Sequence, residues 1–336
     1  MLIIMEANCT VAQVTAVEEC VRTMGYTPLP VPGPSRTAIC VTGNRGPVDG
    51  GLISRLPGVA ECIRVTKPYK LVGREVHPED TVVTLGDVKI GGANPAVVIA
   101  GPCSCETEAR TMAIARAALK AGATVLRAGA FKPRTSPYEF RGLGKEALVT
   151  LAKVRSELGM PVVSEVLDNE SIDMIADSVD AFQVGARNMQ NYSLLTALSK
   201  ASKPVLLKRG LSATFEEWML AAEYLLSGGN RNIILCERGV RTFSDHSRNT
   251  LDLNIVPVVR KFSHLPVVVD PSHGVGHRDR VRAMARAALA CGAQGLLVEA
   301  HTNPATSYTD ADQTIDMETL AGIVRDRDFL AGIEKV

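Results

Sequence analysis

KPVLLKRGLSATFEEWMLAAEYLLSGGNRNIILCERG, residues 203–239, runs through a strand, a loop, a helix and a second strand. "VLL" and "NIILC" are short and apolar throughout, as strands buried on both faces are. Between them, "EEWMLAAEYLL" carries its large apolar residues at helical spacing. Both strands run into charge: Lys208 ends the first, and Glu237 with Arg238 ends the second.

The same beat extends in both directions from residue 91 onward. Its other strands are AVVIAG (96–101), ATVLRAG (123–129), MPVVSEV (160–166), DAFQVGA (180–186), LPVVVDPSH (265–273) and GLLVEA (295–300). Helical patterns such as ETEARTMAIARAALKAG (106–122) and RDRVRAMARAALACG (278–292) separate them. Eight strand–helix repeats over residues 91–336 have the length of a (β/α)8 TIM barrel. An open doubly wound sheet is the main alternative, but no strand is followed by G-x-G-x-x-G.

Residues 1–66 follow another rule. LIIMEA, TVAQVTAVEECVRTMG, TPLPVPG, RTAICVTGN, GGLISRLPG and VAECIRVT read as βαββαβ, a small ferredoxin-like α+β domain. Thr10 is the expected N-cap of its first helix, and Gly25 the expected stop. Residues 67–90 form a polar connector and then a hairpin, TVVTLGDVKIGG, turning at Gly86-Asp87. The expected organisation is therefore 1–66, 67–90 and a catalytic barrel at 91–336.

Composition excludes several classes of partner. With 46% hydrophobic residues and a formal net charge of +1, the chain can bury a large core and has no overall bias toward nucleic acid or membrane. No apolar run approaches the ~18 residues of a membrane span. The opening MLIIMEANCT lacks a basic n-region and a cleavage pattern, so a cytoplasmic location is expected. The eight cysteines are scattered and read as reduced thiols.

In a barrel, chemistry sits at the C-terminal ends of the strands. In order, these ends carry Cys103, Arg127 with Lys132, Glu165, Arg187, Lys208, Glu237 with Arg238, His273 and Glu299. A lone Arg or Cys at such a place is ordinarily a solvated or packed residue. Eight of them converging on one mouth point to a site. Arg127, Lys132, Arg134, Arg187, Lys208 and Arg238 supply six cations, more than a single phosphate or carboxylate needs, and so suit two anionic substrates. Cys103, His273, Glu299 and, in the loop beyond the last strand, Asp310 form a mixed soft and hard set suited to a divalent first-row metal: Mn²⁺, Fe²⁺, Co²⁺ or Zn²⁺.

AGPCS (100–104), RAGAFKPRTSPYEFRGLG (127–144), QVGARNMQNY (183–192), KPVLLKRG (203–210), ILCERGVRTF (234–243) and VDPSHGVGHR (269–278) resemble the 3-deoxy-D-arabino-heptulosonate 7-phosphate (DAHP) synthase family. The match is to its short microbial type, with a ferredoxin-like domain ahead of the barrel, and it includes the connector KPYKLVGREVHPEDTVVTLGDVKIG (67–91). The resemblance implies a transferase that condenses phosphoenolpyruvate with erythrose 4-phosphate in an aldol-type reaction, the first step of the shikimate pathway to chorismate and the aromatic amino acids. It implies Cys103, His273, Glu299 and Asp310 as metal ligands, with Mn²⁺ the first choice of ion. Arg127, Lys132, Arg187, Lys208 and Arg238 would hold phosphoenolpyruvate, while Arg134 and Thr135 would hold the sugar phosphate. Lys132 would be the proton donor, and His273 would both bind metal and handle a proton. A homotetramer and feedback by an aromatic amino acid bound to the front domain are further implications.

The chain departs from the family in two places. EAHTNPATSYTDADQ (299–313) stands where the family has Glu-Val-His-Pro and then Ser-Asp-Gly, so Ala311 replaces a glycine and Asp312 adds a carboxylate. Cys105 follows Cys103 closely enough to suggest a redox pair. Three other functions compete. A 3-deoxy-octulosonate 8-phosphate synthase would use arabinose 5-phosphate, but that sister family carries Lys-Ala-Asn-Arg where this chain has Lys132-Pro133-Arg134-Thr135. The others are a paralogue in a specialised natural-product pathway and a non-catalytic amino-acid sensor.

Overall fold

The computed structural model describes every residue except 34, 35, 45, 47, 64–66, 134, 135, 137 and 333–336. The chain divides into two compact units, Met1–Glu79 with Phe262–His264, and Asp80–Lys261 with Leu265–Val336.

In the first unit, β1 (Leu2–Met5), α1 (Val11–Thr23), β2 (Thr27–Pro32), β3 (Thr37–Thr42) and β4 (Val59–Ile63) build a four-stranded antiparallel sheet in the order β2-β3-β1-β4. Pro28, Pro30 and Pro32 all lie in β2 at the sheet edge, where a missing N–H costs least. Thr10 caps α1 in a capping box with Gln13, as expected. Val17 and Val21, one helical turn apart, pack with Ile3, Met5, Ile39 and Val41 into a small core. The second helix expected of βαββαβ is not formed as an α-helix; Ile53–Arg55 makes only a 3₁₀ turn. Gly50-Gly51 and Pro57-Gly58 bracket it, leaving too few residues to repay the cost of nucleating an α-helix.

The second unit opens with a hairpin, β5 (Val83–Leu85) and β6 (Val88–Ile90), turning at Gly86-Asp87. Eight parallel strands follow: β7 (Val97–Gly101), β8 (Val125–Arg127), β9 (Val162–Val166), β10 (Ala181–Val184), β11 (Val205–Lys208), β12 (Ile233–Glu237), β13 (Val267–Val269) and β14 (Gly295–Glu299). They close into a barrel, each expected strand being present, with β14 pairing back onto β7. The helices α2 (Glu108–Lys120), α3 (Lys145–Leu158), α4 (Glu170–Ala176), α5 (Tyr192–Leu198), α6 (Phe215–Ser227), α7 (Ile255–Phe262), α8 (Pro271–Val275), α9 (Arg278–Ala290) and α10 (Met317–Ala331) alternate with them.

Inside the barrel, Val97, Ile99, Val125, Val163, Ala181, Leu206, Ile234, Val268 and Leu297 from all eight strands form one apolar cluster with Val83, Leu85 and Ile90 of the hairpin. The hairpin lies at the N-terminal end. A Cβ on Gly86 or Gly91 would meet Pro161 or Pro266, each just ahead of its strand, at 3.0 Å. One end of the barrel is thereby stoppered, and the strands can present chemistry only at the other. No helix among the described residues is long and apolar enough to cross a membrane.

Candidate active site

Residues from seven strand ends and their loops line a cavity of about 540 Å³ at the C-terminal end of the barrel, among them Arg127, Lys132, Glu165, Arg187, Lys208, Arg238, His273 and Asp310. Cys103 and Glu299 lie just beneath, each almost fully buried. Arg134 and Thr135 lie outside the described residues.

The thiol, imidazole and two carboxylates expected as a metal set do converge: the donor atoms of Cys103, His273, Glu299 and Asp310 all lie within 4.8 Å of one another. Two loops, a strand end and a helix bring them there. Cys103 follows β7, Glu299 closes β14, and Asp310 is reached through a left-handed backbone turn, φ 53°. His273 rides on α8, whose N-cap Asp270 accepts from the His273 backbone N–H at 2.9 Å. Asp270 also accepts from His273 Nδ1–H at 2.7 Å and from Lys208 Nζ at 2.6 Å.

Burial pushes the His273 pKa down to about 4, against the pull of Asp270 and Glu299, so the ring is neutral at physiological pH. With its proton fixed on Nδ1 by Asp270, Nε2 turns a lone pair toward Glu299 Oε1, 3.2 Å away. Burial opposes ionisation of Glu299, but the positive charge around it, permanent on Arg127 and Lys132, outweighs it and holds its pKa below the ordinary value. Two acceptors held face to face, beside a thiol and a second carboxylate, fit a divalent cation shared between them.

The same ligands are tied to cations. Arg127 Nη1 donates to Glu299 Oε1 at 2.8 Å. Lys132 Nζ contacts Cys103 Sγ and lies 3.0 Å from Asp310 Oδ2. Burial acts to lower the Lys132 pKa; Cys103, Glu299 and Asp310 prevail, so the amine is held protonated above the usual lysine range. Burial pushes the Cys103 thiol up to about 12, with Glu299 adding to it. Cys105 is likewise buried, unbridged and pushed up to about 12, the environment of an inert thiol rather than a redox partner.

Among the described residues, Arg187 and Arg238 have no carboxylate within 4 Å, and the Arg238 guanidinium, 6% exposed, reaches only its neighbour's carbonyl, Gly239 O, at 3.3 Å. Burial lowers the Arg238 pKa, a cost that an anion in the cavity would offset. On the strand next to the one that leads to Arg187, burial raises the pKa of Glu165, although Lys132, Lys208 and Arg127 all favour its charged form. Gly185 leaves that carboxylate its place, since a Cβ there would collide with Glu165 Oε1.

Four residues of this site carry no role in the sequence reading. Asp270 links Lys208 to His273. Gln313 donates to Glu299 Oε2 at 2.6 Å, and Arg248 donates to Asp310 Oδ1 at 3.1 Å and to Gln313 Oε1 at 2.7 Å. Glu165 is visible in the sequence only as one more strand end. Asp270 had a signal in DPSH, an N-cap and proline opening a helix; Gln313 and Arg248 had none.

The family model described as "DAHP synthetase I family" matches residues 74–329, and that described as "DAHP synthase ferredoxin-like domain" matches residues 1–67. This chain belongs to the DAHP synthetase I family. It is similar to the phospho-2-dehydro-3-deoxyheptonate aldolase of Thermotoga maritima, 48% identical over 299 residues, 89% of this chain and 88% of that one. A crystal structure of the T. maritima DAHP synthase superposes with a TM-score of 0.78 at 44% identity, covering 98% of this chain and 96% of that one. The 2-dehydro-3-deoxyphosphooctonate aldolase of Geotalea uraniireducens is 33% identical over 261 residues, 72% of this chain and 95% of that one. The protein is thus an enzyme, with a ferredoxin-like domain ahead of a DAHP synthase barrel.

Proposed function

We infer that the barrel mouth condenses phosphoenolpyruvate with erythrose 4-phosphate and water, giving DAHP and inorganic phosphate. The observation that carries this is the Cys103, His273, Glu299 and Asp310 donor set beside a cavity that also holds Arg187 and Arg238, which meet no carboxylate among the described residues. Arg127, Lys132, Arg187, Lys208 and Arg238 would take the phosphate and carboxylate of phosphoenolpyruvate, and Arg134 with Thr135 the sugar phosphate. A divalent metal, Mn²⁺ first among Mn²⁺, Fe²⁺, Co²⁺ and Zn²⁺, would supply Lewis-acid polarisation of the sugar aldehyde.

C3 of the enol attacks the aldehyde carbon, and Lys132 donates its proton to the oxygen that becomes a hydroxyl. Lys132 is a better acid once Glu299 and Asp310 spend their charge on a ligand rather than on its amine. Water adds at C2, and Glu165, whose raised pKa suits a base, takes its proton. Collapse of the adduct breaks the C2–O bond and releases phosphate. His273 has Nδ1 committed to Asp270 and Nε2 to the donor set, so in this scheme it binds rather than transfers a proton.

The sugar is argued from sequence: Pro133-Arg134-Thr135 follows Lys132, and identity is 48% to the heptonate relative against 33% to the octonate one. Mass analysis of the product made from phosphoenolpyruvate with either sugar tests it. A heptulosonate phosphate from erythrose 4-phosphate is expected, and turnover only with arabinose 5-phosphate would reverse the choice. For residues 1–66 we propose feedback control by an aromatic amino acid, within a homotetramer.

A further inference from the structure

Cys103 and Asp310 lie on loops far apart in sequence, and something must fix the distance between them. Two buried ties join these loops behind the donor set. Ser104 Oγ and Thr309 Oγ1 lie 2.9 Å apart, each next in sequence to one of the ligands. The other tie is the carboxylate of Glu106, which is fully buried.

Glu106 Oε1 accepts from the Tyr308 backbone N–H at 2.9 Å. Its Oε2 accepts from Arg110 Nε at 2.9 Å and from His301 Nε2 at 3.3 Å. The direction of the histidine bond follows from the other nitrogen: His301 Nδ1 accepts from Asn303 N at 2.8 Å, so the proton is on Nε2. Arg110, in the first turn of α2, extends the grip. Its Nη2 donates to Thr306 O at 2.9 Å, and its guanidinium lies 5.0 Å from the centre of the Tyr308 ring. The segment from His301 to Tyr308 is therefore held at three points by two residues of the opposite loop and helix.

Two residues later the chain takes the left-handed turn of Asp310, the one non-glycine with positive φ among the described residues. Such a conformation persists where the surroundings over-determine it. Lys132 and Arg248 also pull on the Asp310 carboxylate, from two sides, but neither orders the backbone that carries it.

We propose that Glu106 is a positioning residue for the metal-binding set: its buried carboxylate clamps the loop 301–308 onto the loop that carries Cys103, and so sets where Asp310 meets the other donors. The inference rests on the metal reading above. It explains how this chain keeps Asp310 in register although residues 300–312 depart from the family pattern. A carboxylate is required, because three N–H donors converge on it and an amide would turn an NH₂ toward at least one of them.

The test is Glu106→Gln in the full-length protein. Mn²⁺ affinity is read from free Mn²⁺ by electron paramagnetic resonance, and ligand geometry from the visible spectrum of the Co²⁺-loaded protein. Loss of a direct hydrogen-bond partner of a metal ligand typically weakens binding ~10- to 100-fold, and Glu106, which acts one step further out through the loop, should give a loss toward the lower end. That loss is expected here, together with an altered Co²⁺ spectrum. If Glu106→Gln fails to fold, the Ser104→Ala, Thr309→Val double variant removes the parallel tie, and a weakening of the same sense with a shifted spectrum is expected. A folded variant with wild-type Mn²⁺ affinity and an unchanged spectrum would overturn the positioning role alone. A wild-type protein with no Mn²⁺ binding that Cys103→Ser removes would overturn the metal reading and this inference together.

Discussion

At the N-terminal ends of the barrel strands, Val83, Leu85 and Ile90 of the hairpin seal the interior against Val97, Ala181 and Leu206, whereas at the C-terminal ends a buried thiol, an imidazole, carboxylates and cations crowd one cavity. Both ends are built from the same strands, and at the polar end too Cys103, Arg127, Lys208, Asp270 and Glu299 are buried. The apolar end gains free energy from every methylene it removes from water. The polar end has to offset the burial of Arg127, Lys208, Asp270 and Glu299 with pairings such as Arg127–Glu299 and Lys208–Asp270. Stability and chemistry are thus assigned to opposite ends of one core, and substitutions should separate them.

The sharpest separation is expected at Cys103. Replacement by Ser exchanges a soft potential thiolate for a hydroxyl that stays protonated, so metal affinity and turnover should fall together by orders of magnitude while the unfolding midpoint of the metal-free protein is unchanged. Full activity in that variant would remove Cys103 from the site. At the other end, Leu85→Ala empties a site that is 1% exposed. It should cost ~2–5 kcal/mol of stability in denaturant unfolding, with the turnover of the remaining folded enzyme unaltered. A Leu85→Ala protein that keeps its stability but loses turnover would mean the two ends are not independent.

This division is legible in the sequence because both halves of it are local. Each strand announces itself by a short apolar run, and the residue at its end is simply the next one along, as with Lys208 after VLL and Glu237 after IILC. What the sequence hides are pairings between distant loops. Glu106 and His301 stand 195 positions apart, and Arg248 and Asp310 stand 62 apart; nothing in either segment names its partner. The front domain erred in the opposite direction. Leu52 to Leu56 reads as a helix from its apolar residues, and the flanking Gly and Pro residues shorten it to Ile53–Arg55.

A finer contrast lies within the mouth, between the two anion sites proposed for it. If Arg134 holds the sugar phosphate as proposed, Arg134→Ala would remove a charge-assisted contact worth ~1.5–3 kcal/mol, and the KM for erythrose 4-phosphate should rise roughly ten- to a hundredfold. The KM for phosphoenolpyruvate should stay put. A change confined to phosphoenolpyruvate would interchange the two sites.

The smallest effect is expected from removing the front domain. A chain beginning at Lys67 should keep metal-dependent condensation and lose inhibition by tyrosine or phenylalanine; a tenfold inhibition corresponds to ~1.4 kcal/mol of coupling. Equal inhibition of the shortened and full-length chains would move the effector site into the barrel.

The most direct test is phosphate release from phosphoenolpyruvate and erythrose 4-phosphate by the purified full-length protein, before chelation, after chelation, and after Mn²⁺ is restored. Release that requires both substrates, stops on chelation and returns with the metal is the predicted result. Release that is indifferent to chelation, or its absence with every divalent ion tried, would contradict the assignment of the barrel mouth as a metal-dependent condensing site.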